Sequence, residues 1–345
     1  MDHALMGHAL MEGAMTEGAM TRASLDGWLP IRVWPRAGEW RVDWCWLGEQ
    51  PLTRPFFRDD VEQALRLPFN QAFRRETGLA ALLDWQRVSP GLAPGALVFH
   101  ASRCGSTLLA QMLAGLPRNT VLSEPSPLDS LLRAHYRDLS LVARQAEWVS
   151  ALLSAYGQRR QDGEGRLLVK LDAWNVFEAP LLRELYPAVP FVFLYRDPLE
   201  IVVSQLAQPG MHRVPGLLGP SGLDERLPGA QAMSPLEYTC RMVGQILQGG
   251  LELCQRQGGI ALNYSELPGA LWGRLATLFD VREADVTRLR EVAGFDAKQP
   301  TLSFSADTRR KRESASAEVR DAVQRWAQGP YEALEGLRQT MSVVD

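Results

Sequence analysis

The chain has 345 residues, a formal net charge of −3, and 46% hydrophobic and 22% charged residues. This length and mixture are typical of a globular protein with one large domain, or with a large domain and a smaller appendage. The slightly acidic balance argues against a general nucleic-acid binder, which normally has a strong basic excess. Only three of the 37 basic residues are lysines, Lys170, Lys298 and Lys311, so each of them is a candidate for a specific role.

The cysteines are scattered along the chain and form no CxxC pair. Structural zinc sites and disulfide frameworks need closer, patterned ligands, so neither is expected. The sequence has no apolar run of about 18 residues, the length that predicts a membrane-spanning helix. Its beginning does not have the pattern of a signal peptide. We therefore expect a cytoplasmic protein with no bound metal and no membrane span.

Two composition blocks precede the main part of the chain. Residues 1–25 repeat Met, Gly, Ala and acidic residues without an apolar face, which predicts a disordered or weakly helical tail. Residues 26–90 are rich in tryptophan and predict a small cap. Within the cap, alternation over Ile31–Trp34 and Trp40–Trp46 predicts two strands of a hairpin joined by a turn at Pro35–Gly38.

The cap also contains amphipathic stretches that predict short helices over Asp59–Leu67 and Leu79–Trp85. Two interpretations of its tryptophans stay open. They form the packed core of the cap, or some of them line a pocket for an acceptor substrate.

From residue 91 to 345, short apolar segments alternate with helical stretches, which predicts a second, larger domain. The predicted strands are Ala96–His100, Thr120–Ser123, Leu167–Leu171, Phe191–Tyr195 and Gly259–Tyr264. The predicted helices are Ser106–Leu116, Ser126–Tyr136, Ser140–Tyr156, Pro180–Tyr186, Pro198–Ala207 and Pro235–Gln255. Continuously apolar strands that alternate with helices indicate an α/β fold of three layers, α/β/α, around a central parallel sheet. Such sheets bind ligands at the carboxyl ends of their strands.

The segment Ser102–Thr107 joins a predicted strand to a predicted helix and has the features of a phosphate-binding loop. Gly105 allows close backbone approach, and the first N–H groups of the helix are unpaired donors at the positive end of its dipole. Ser106 and Thr107 add hydroxyl donors, and Arg103 adds a cation. An ordinary strand-to-helix turn capped by Ser102 is the alternative.

The same loop lacks the lysine that a kinase or ATPase places after the last glycine of its phosphate loop to reach the β- and γ-phosphates. No acidic strand end suits magnesium either, because the strand Phe191–Tyr195 is followed by Arg196-Asp197-Pro198. A hydrolysed nucleoside triphosphate is therefore not the expected ligand.

Two motifs together resemble the superfamily of sulfotransferases that use 3′-phosphoadenosine-5′-phosphosulfate (PAPS). The first is Arg-x-Gly-Ser-Thr at residues 103–107, and the second is Tyr-Arg-Asp-Pro at 195–198 with Ser204 eight residues after Arg196. The resemblance covers roughly residues 95–315 and is closest in style to tyrosylprotein and bacterial sulfotransferases. It implies a P-loop-like sulfotransferase domain with PAPS as co-substrate and no metal.

The resemblance also implies a role for each matching residue of the donor site. Arg103, Cys104, Gly105, Ser106 and Thr107 correspond to the loop that holds the 5′-phosphosulfate. Cys104 departs from the commoner serine, so one hydroxyl donor is expected to be lost there. The residues that correspond to the 3′-phosphate and adenine contacts are Arg196, Ser204, Tyr264, Arg310 and Lys311.

Arg196 follows a strand expected to be buried, where a cation is costly unless it meets an anion. A structural ion pair between Arg196 and an aspartate is the alternative to phosphate binding. For Arg310 and Lys311, the alternative is a solvated basic helix end. Ser265, directly after Tyr264, is expected to be the N-cap of the helix that begins there.

Three residues are candidates for the chemistry. Glu124, 21 residues after Arg103, resembles the position of the catalytic base in tyrosylprotein-type enzymes. Lys170 lies at the end of an apolar strand, where burial in the sheet would be costly, so it is expected to face the cleft. We expect Lys170 and Arg103 to share the charge that develops on the leaving group. The alternatives are a capping Glu124 and a structural salt bridge between Lys170 and Asp172.

These observations predict a transferase that moves a sulfuryl group from PAPS to a hydroxyl or amine of a small-molecule or peptide acceptor. Two other functions stay open: a noncatalytic nucleotide-binding protein on the same fold, and a small-molecule kinase with a degenerate phosphate loop. The Pro- and Gly-rich segment 208–235 is expected to cover the cleft and to influence acceptor choice.

Overall fold

The computed structural model describes residues 25–298, 301–302 and 308–341. The predicted tail over residues 1–25 lies outside these ranges except for Leu25, which is buried.

Two sheets organise the described part of the chain. A three-stranded antiparallel sheet has the order β1-β2-β3, and a five-stranded parallel sheet has the order β5-β6-β4-β7-β8. Strands β1 to β8 span, in chain order, Trp28–Arg36, Glu39–Trp46, Arg75–Gly78, Pro94–His100, Asn119–Ser123, Arg166–Lys170, Phe191–Tyr195 and Ile260–Asn263. The parallel sheet confirms the fold class that the sequence predicts.

Helices connect the strands of the parallel sheet. In chain order, α1 to α15 span Phe57–Leu65, Pro68–Ala72, Ala80–Val88, Ser106–Ala114, Ser126–Leu132, Val142–Tyr156, Ala179–Leu185, Pro198–Ala207, Gly222–Arg226, Pro235–Arg256, Ala276–Phe279, Val286–Ala293, Thr308–Ser314, Ala317–Trp326 and Gln328–Met341. Short 3-10 helices cover Ala134–Tyr136, Leu139–Leu141, Ala173–Glu178, Met211–Arg213, Ala230–Ala232, Tyr264–Glu266, Gly269–Leu271 and Glu283–Asp285.

The parallel strands are buried on both faces. Every residue of β5 and β7 is buried, although alternate side chains of a strand point to opposite faces. Helices therefore cover both faces, giving the three-layer arrangement. Strand β4 lies in the middle, with β6 on one side and β7 on the other. The order of connections changes direction at β4, and the crevice outside its carboxyl end is where such sheets bind ligands.

The antiparallel sheet contains the predicted hairpin. Its strands are longer than predicted, and the turn is the pair Ala37-Gly38, both with positive φ (50° and 85°). A two-residue turn of this kind matches the right-handed twist of the flanking strands. The third strand, β3, is absent from the sequence-based expectation because its four residues, Arg-Glu-Thr-Gly, have no apolar alternation.

The tryptophans of the cap lie in different surroundings. Trp44 and Trp85 are buried in the core, at 3% and 2% exposure. Trp34 and Trp40 instead line a separate cavity of about 250 Å³ beside α5. Ser126, the first residue of α5, lines both this cavity and the larger cavity described below.

Candidate active site

A cavity of about 760 Å³ opens at the carboxyl ends of the parallel strands. Each of the five strands is followed by a residue or loop that lines it, and Phe56, Arg58 and residues from later segments add to its wall. The lining residues include His100, Ser102, Arg103, Gly105, Ser106, Thr107, Glu124, Asp172, Arg196, Ser204, Gln208, His212, Tyr264, Asp296, Lys298 and Lys311. The structure thus brings most of the predicted site residues to one place.

The loop between β4 and α4 has a strained backbone. Ser102, Arg103 and Gly105 all have positive φ, at 58°, 48° and 87°. Leu109 is the first residue of α4 whose N–H pairs with a helix carbonyl, that of Gly105. The N–H groups of Thr107 and Leu108 donate to no acceptor in the described part of the chain, whereas the N–H of Ser106 meets the Cys104 thiol. Such a helix start favours an anion.

Tyr264 packs directly on this loop. A Cβ added to Gly105 would collide with the Tyr264 ring, so only glycine fits both the backbone angle and the contact. Tyr264 follows β8 and begins a 3-10 helix capped by Asn263, whose side chain accepts from the N–H of Ser265. The expectation that Ser265 is the cap is therefore wrong by two positions.

Cys104 does not face the cavity. Its thiol is fully buried and donates to the carbonyl oxygen of Leu194 at 3.2 Å. Burial raises the pKa of this thiol to about 11. The expected loss of a phosphate-binding hydroxyl is wrong, because a side chain at this position points into the sheet. Only the backbone of Cys104 stays a candidate for ligand binding.

Arg103 joins the two motifs. Its Nε donates to Ser204 Oγ at 2.8 Å, and its Nη2 donates to Gln208 Oε1 at 2.7 Å. Ser204 and Gln208 lie on and just after α8, the helix that follows the Arg196 strand. Arg103 and Ser204 are 101 residues apart in the chain, so this contact joins the first motif to the second along the cavity wall.

Arg196 is buried and meets several partners at the edge of the cavity. Its Nε donates to Glu200 Oε2 at 2.5 Å, its Nη2 donates to Thr308 Oγ1 at 2.8 Å, and its guanidinium lies 4.3 Å from the centre of the Tyr264 ring. The expected alternative was a pair with an aspartate; the carboxylate found here is Glu200. Asp197 instead caps α8 by accepting from the N–H of Leu199.

Helix α13 carries the basic cluster. Lys311 lines the cavity, whereas Arg310 is exposed and does not line it. Arg312 pairs with Asp197 at 2.9 Å and with Glu200 at 3.0 Å. Only one of the two predicted basic ligands therefore reaches the site: Lys311 lines the cavity, and Arg310 lies on the surface.

Glu124, Lys170 and His100 form a compact ionic cluster behind the loop. Glu124 Oε1 accepts from Lys170 Nζ at 2.8 Å and lies 3.3 Å from His100 Nε2. His100 Nδ1 accepts from the N–H of Ser102 at 3.0 Å, so the ring is neutral and carries its proton on Nε2. The cluster links the base candidate to the phosphate loop through one imidazole.

The electrostatics of the cluster keep Glu124 ionised. Burial raises the pKa of the Glu124 carboxyl, but Lys170 and His100 outweigh burial and hold that pKa well below its usual range. Burial lowers the pKa of His100, which keeps the ring neutral at pH 7. Burial, Glu124 and Asp129 all raise the pKa of Asp172, which lines the cavity close by.

Lys170 is not where the sequence predicts. It is 2% exposed, does not line the cavity, and lies with its ammonium on Glu124 and 5.0 Å from the centre of the Phe56 ring. The expectation that it faces the open cleft is wrong, because the Glu124 carboxylate compensates the buried charge. Among the described residues no salt bridge joins Lys170 to Asp172, which caps the 3-10 helix at Ala173 instead.

Two cavity residues were not assigned to the donor site or to the chemistry from the sequence. His212, from the segment 208–235, is 5% exposed, lines the cavity and lies 3.2 Å from the Gln205 amide. Burial and the neighbouring His100 lower the pKa of His212 to about 4. Lys298 lines the cavity from a loop after α12. The only feature of the sequence that pointed to it is that the chain has just three lysines. The place of His212 supports the expectation that its segment borders the cleft.

Two features are absent from the described ranges. No group of three or more His, Cys, Asp or Glu residues there has the arrangement of a metal site. No helix there has both the length and the apolar composition for a membrane span.

Comparison with known proteins gives a family for the central part of the chain. Residues 94–214 match a family model described as "Sulfotransferase family". No curated protein matches the sequence.

Three solved structures are similar to this chain. A sulfotransferase from Alicyclobacillus acidocaldarius is 15% identical over 72% of this chain and 96% of its own, with a TM-score of 0.40. The sulfotransferase domain from the curacin biosynthetic pathway is 19% identical over 72% and 98%, with a TM-score of 0.39. Sulfotransferase STF9 from Mycobacterium avium is 14% identical over 72% and 80%, with a TM-score of 0.41.

The matched segment, residues 94–214, holds the phosphate loop, Glu124, Lys170 and Arg196. The resemblance carried by the two motifs is confirmed, because the segment that contains both of them matches the sulfotransferase family model.

Proposed function

We propose that this chain transfers the sulfuryl group of PAPS to a hydroxyl or amine of a small-molecule or peptide acceptor. One observation supports the proposal: the same cavity contains two positively charged sites, each of which could bind an anion. Arg103 and the start of α4 form the first, and Arg196 with Lys311 forms the second. PAPS has a phosphosulfate at one end of its ribose and a phosphate at the other, so its charges fit a cavity with two such sites.

In the proposed complex the 5′-phosphosulfate lies on the N–H groups at the start of α4, with the hydroxyls of Ser106 and Thr107 as further donors. Arg196 and Lys311 bind the 3′-phosphate. The Ser204 hydroxyl, which accepts from Arg103, is a further polar group of the cavity wall. Tyr264 lies between the loop and Arg196, where its ring holds both in place.

The proposed reaction is an in-line displacement at sulfur. The acceptor oxygen or nitrogen attacks the sulfur atom while the bond from sulfur to the bridging oxygen breaks, and that electron pair stays on the 5′-phosphate. Glu124 takes the acceptor proton, and Arg103 stabilises the charge on the leaving phosphate. The products are the sulfated acceptor and 3′-phosphoadenosine 5′-phosphate.

We assign Lys170 a role in catalysis through its contact with Glu124. Its ammonium keeps Glu124 ionised and fixes the carboxylate at the cavity wall. His100 connects this carboxylate to the loop that binds the donor. Both residues act on the transfer by positioning Glu124.

Calorimetric titration with 3′-phosphoadenosine 5′-phosphate, followed by transfer of ³⁵S from labelled PAPS to a panel of phenols, alcohols, amines and tyrosine peptides, tests the proposal. We expect tight binding of the nucleotide and label in at least one acceptor class. Binding without transfer to any acceptor would support a noncatalytic nucleotide-binding protein. Transfer of ³²P from γ-labelled ATP would instead support a kinase.

A further inference from the structure

Lys298 lies on the wall of the cavity but outside the family match and outside both motifs. It follows α12 in the segment 295–298, all four residues of which line the cavity. Its backbone N–H donates to Asp296 Oδ1 at 2.9 Å. Within the described ranges no hydrogen bond or salt bridge engages its ammonium, so the charge is available to a ligand.

Several charged groups in and beside the cavity act on the Lys298 ammonium. Arg103, Glu124, Lys170 and Asp296 are all close enough for their charges to shift its pKa. Burial of the ammonium, followed by the Arg103 cation, lowers the pKa of Lys298 to about 8. Like charges facing each other across a cavity, without a carboxylate paired to Lys298, favour an anion between them.

The other two lysines are placed differently. Lys170 is buried behind Glu124 and does not line the cavity. Lys311 lies on α13, the helix whose Thr308 accepts from Arg196, and so belongs to the proposed 3′-phosphate end. Lys298 both lines the cavity and lies within electrostatic reach of Arg103 and Glu124, the two groups proposed to act at the ends of the transfer.

We propose that Lys298 is a catalytic residue that contacts the sulfuryl group of PAPS as it passes from the phosphate to the acceptor. This inference rests on the proposed function. As the bond between sulfur and the bridging oxygen breaks, negative charge grows on that oxygen and on the sulfuryl oxygens. The Lys298 ammonium and the Arg103 guanidinium stabilise this charge, while the acceptor proton goes to Glu124.

Chemical labelling tests the location without any acceptor. Pyridoxal 5′-phosphate carries a phosphate for the loop and an aldehyde that condenses with an amine, releasing water; borohydride then reduces the imine to a stable secondary amine. Peptide mass spectrometry should find the adduct on Lys298, with Lys170 unmodified because it is buried. Saturating 3′-phosphoadenosine 5′-phosphate should abolish the Lys298 adduct. Labelling confined to other amines, or an adduct that the nucleotide does not prevent, would overturn the inference.

Kinetics test the role. Lys298→Ala should lower the turnover of ³⁵S transfer by about 10² to 10³, the usual effect of removing one transition-state donor. Its affinity for 3′-phosphoadenosine 5′-phosphate, which lacks the sulfuryl group, should change less than threefold, and Lys298→Arg should recover part of the turnover. Arg309→Ala, which removes an exposed cation paired with Glu313 on the same helix, is the control and should leave turnover unchanged.

The results separate the two proposals. If the wild-type chain binds the nucleotide and transfers sulfur but Lys298→Ala retains its turnover, the role of Lys298 is wrong and the proposed function stands. If the wild-type chain does not bind the nucleotide, both proposals fail.

Discussion

Arg103 and Arg196 have the same side chain, but their surroundings differ. Arg103 donates to two neutral oxygens, those of Ser204 and Gln208. Arg196 donates to the Glu200 carboxylate, which also meets Arg312, and Arg312 pairs with Asp197 as well. Lys311, on the same helix as Arg312, lines the cavity and adds a cation there, which supports the proposed 3′-phosphate site.

Arg196→Ala should weaken PAPS binding about 100-fold while changing the affinity for adenosine 5′-phosphosulfate less than threefold. The reason is that a charge-assisted bidentate contact contributes about 1.5–3 kcal/mol, and only PAPS has the 3′-phosphate. Calorimetry with both nucleotides measures the difference, and Arg309→Ala is the control. Equal losses for the two nucleotides would exclude the 3′-phosphate role.

Lys170→Met should move the acid limb of the pH–rate profile to higher pH. Lys170 lowers the pKa of Glu124 whereas burial raises it, so the pKa of Glu124 rises once the ammonium is gone and the base is protonated over a wider range. The rate of ³⁵S transfer between pH 5 and 9 measures the shift. An unchanged acid limb would contradict the positioning role.

A double-mutant cycle separates this role from direct action on the sulfuryl group. If Lys170 acts through Glu124, adding Lys170→Met to Glu124→Gln should reduce turnover little further. Independent, additive losses would instead favour a direct role for Lys170. Because breaking a buried pair costs about 3–5 kcal/mol of stability, each variant needs a thermal unfolding measurement as a control.

Among the secondary-structure elements, the loop between β4 and α4 depends on a contact that its own sequence does not show. Gly105 has a φ of 87°, and the Tyr264 ring from the end of β8 occupies the space where a side chain would lie. The sequence predicts the loop and its glycine from the local strand-loop-helix pattern. It does not predict that Tyr264, 159 residues later, is the reason that no larger residue fits.

Gly105→Ala should lower the affinity for 3′-phosphoadenosine 5′-phosphate at least 10-fold, because the loop must shift to relieve the collision with Tyr264. Gly38→Ala is a matched control: Gly38 has nearly the same φ, 85°, but no atom lies near the added Cβ. Both substitutions should cost about 1 kcal/mol for the backbone angle. Only Gly105→Ala should impair nucleotide binding; equal binding by both variants would contradict the contact.

Several elements were predictable because their patterns are local. Strand β7 and helix α8 occur at the predicted residues, since an apolar run followed by Asp-Pro specifies a strand end, a cap and a first helical turn. The helix predicted over Ser126–Tyr136 ends at Leu132 and continues as a 3-10 turn. Its Arg133 bonds to Asp129 and to the carbonyl of Leu218, a distant partner that the local pattern does not contain.

For the molecule as a whole, burial of titratable groups makes stability depend on pH. Glu178 is 6% exposed and accepts from Tyr136 Oη at 3.0 Å. Burial raises the pKa of Glu178 to about 7, against an ordinary value of 4.5. The folded state therefore holds this proton between these two pH values, where the unfolded chain has already lost it.

The contribution of Glu178 to stability is present below pH 4.5 and is lost as the pH rises through 7. Glu178→Gln should remove this dependence, so the difference in unfolding free energy between pH 5 and pH 8 should change by up to about 3 kcal/mol. Urea unfolding of both proteins at the two pH values measures it. If Glu178→Gln leaves the pH dependence of the unfolding free energy unchanged, Glu178 is ionised over the whole range from pH 5 to pH 8 and the prediction is wrong.

Local spacing in the chain was sufficient to predict the α/β class, the loop between β4 and α4, the strand end and helix cap of the Arg196 motif, and the place of Glu124 after its strand. Each of these depends on residues close together in the chain, where spacing directly expresses backbone geometry and helix capping. The contacts of those residues depend on the folded arrangement instead. Lys170 lies on Glu124, 46 residues away, rather than in the cleft, and Cys104 faces the sheet.

The same distinction explains Lys298 and Arg310. Lys298 lies in a loop without a motif and lines the cavity. Arg310 lies in the densest basic run of the chain and does not line it. Proximity across parallel strands depends on the order of the strands in the sheet and on packing of distant segments. No local spacing in the chain encodes that order, so only the folded structure shows which charges share the cavity.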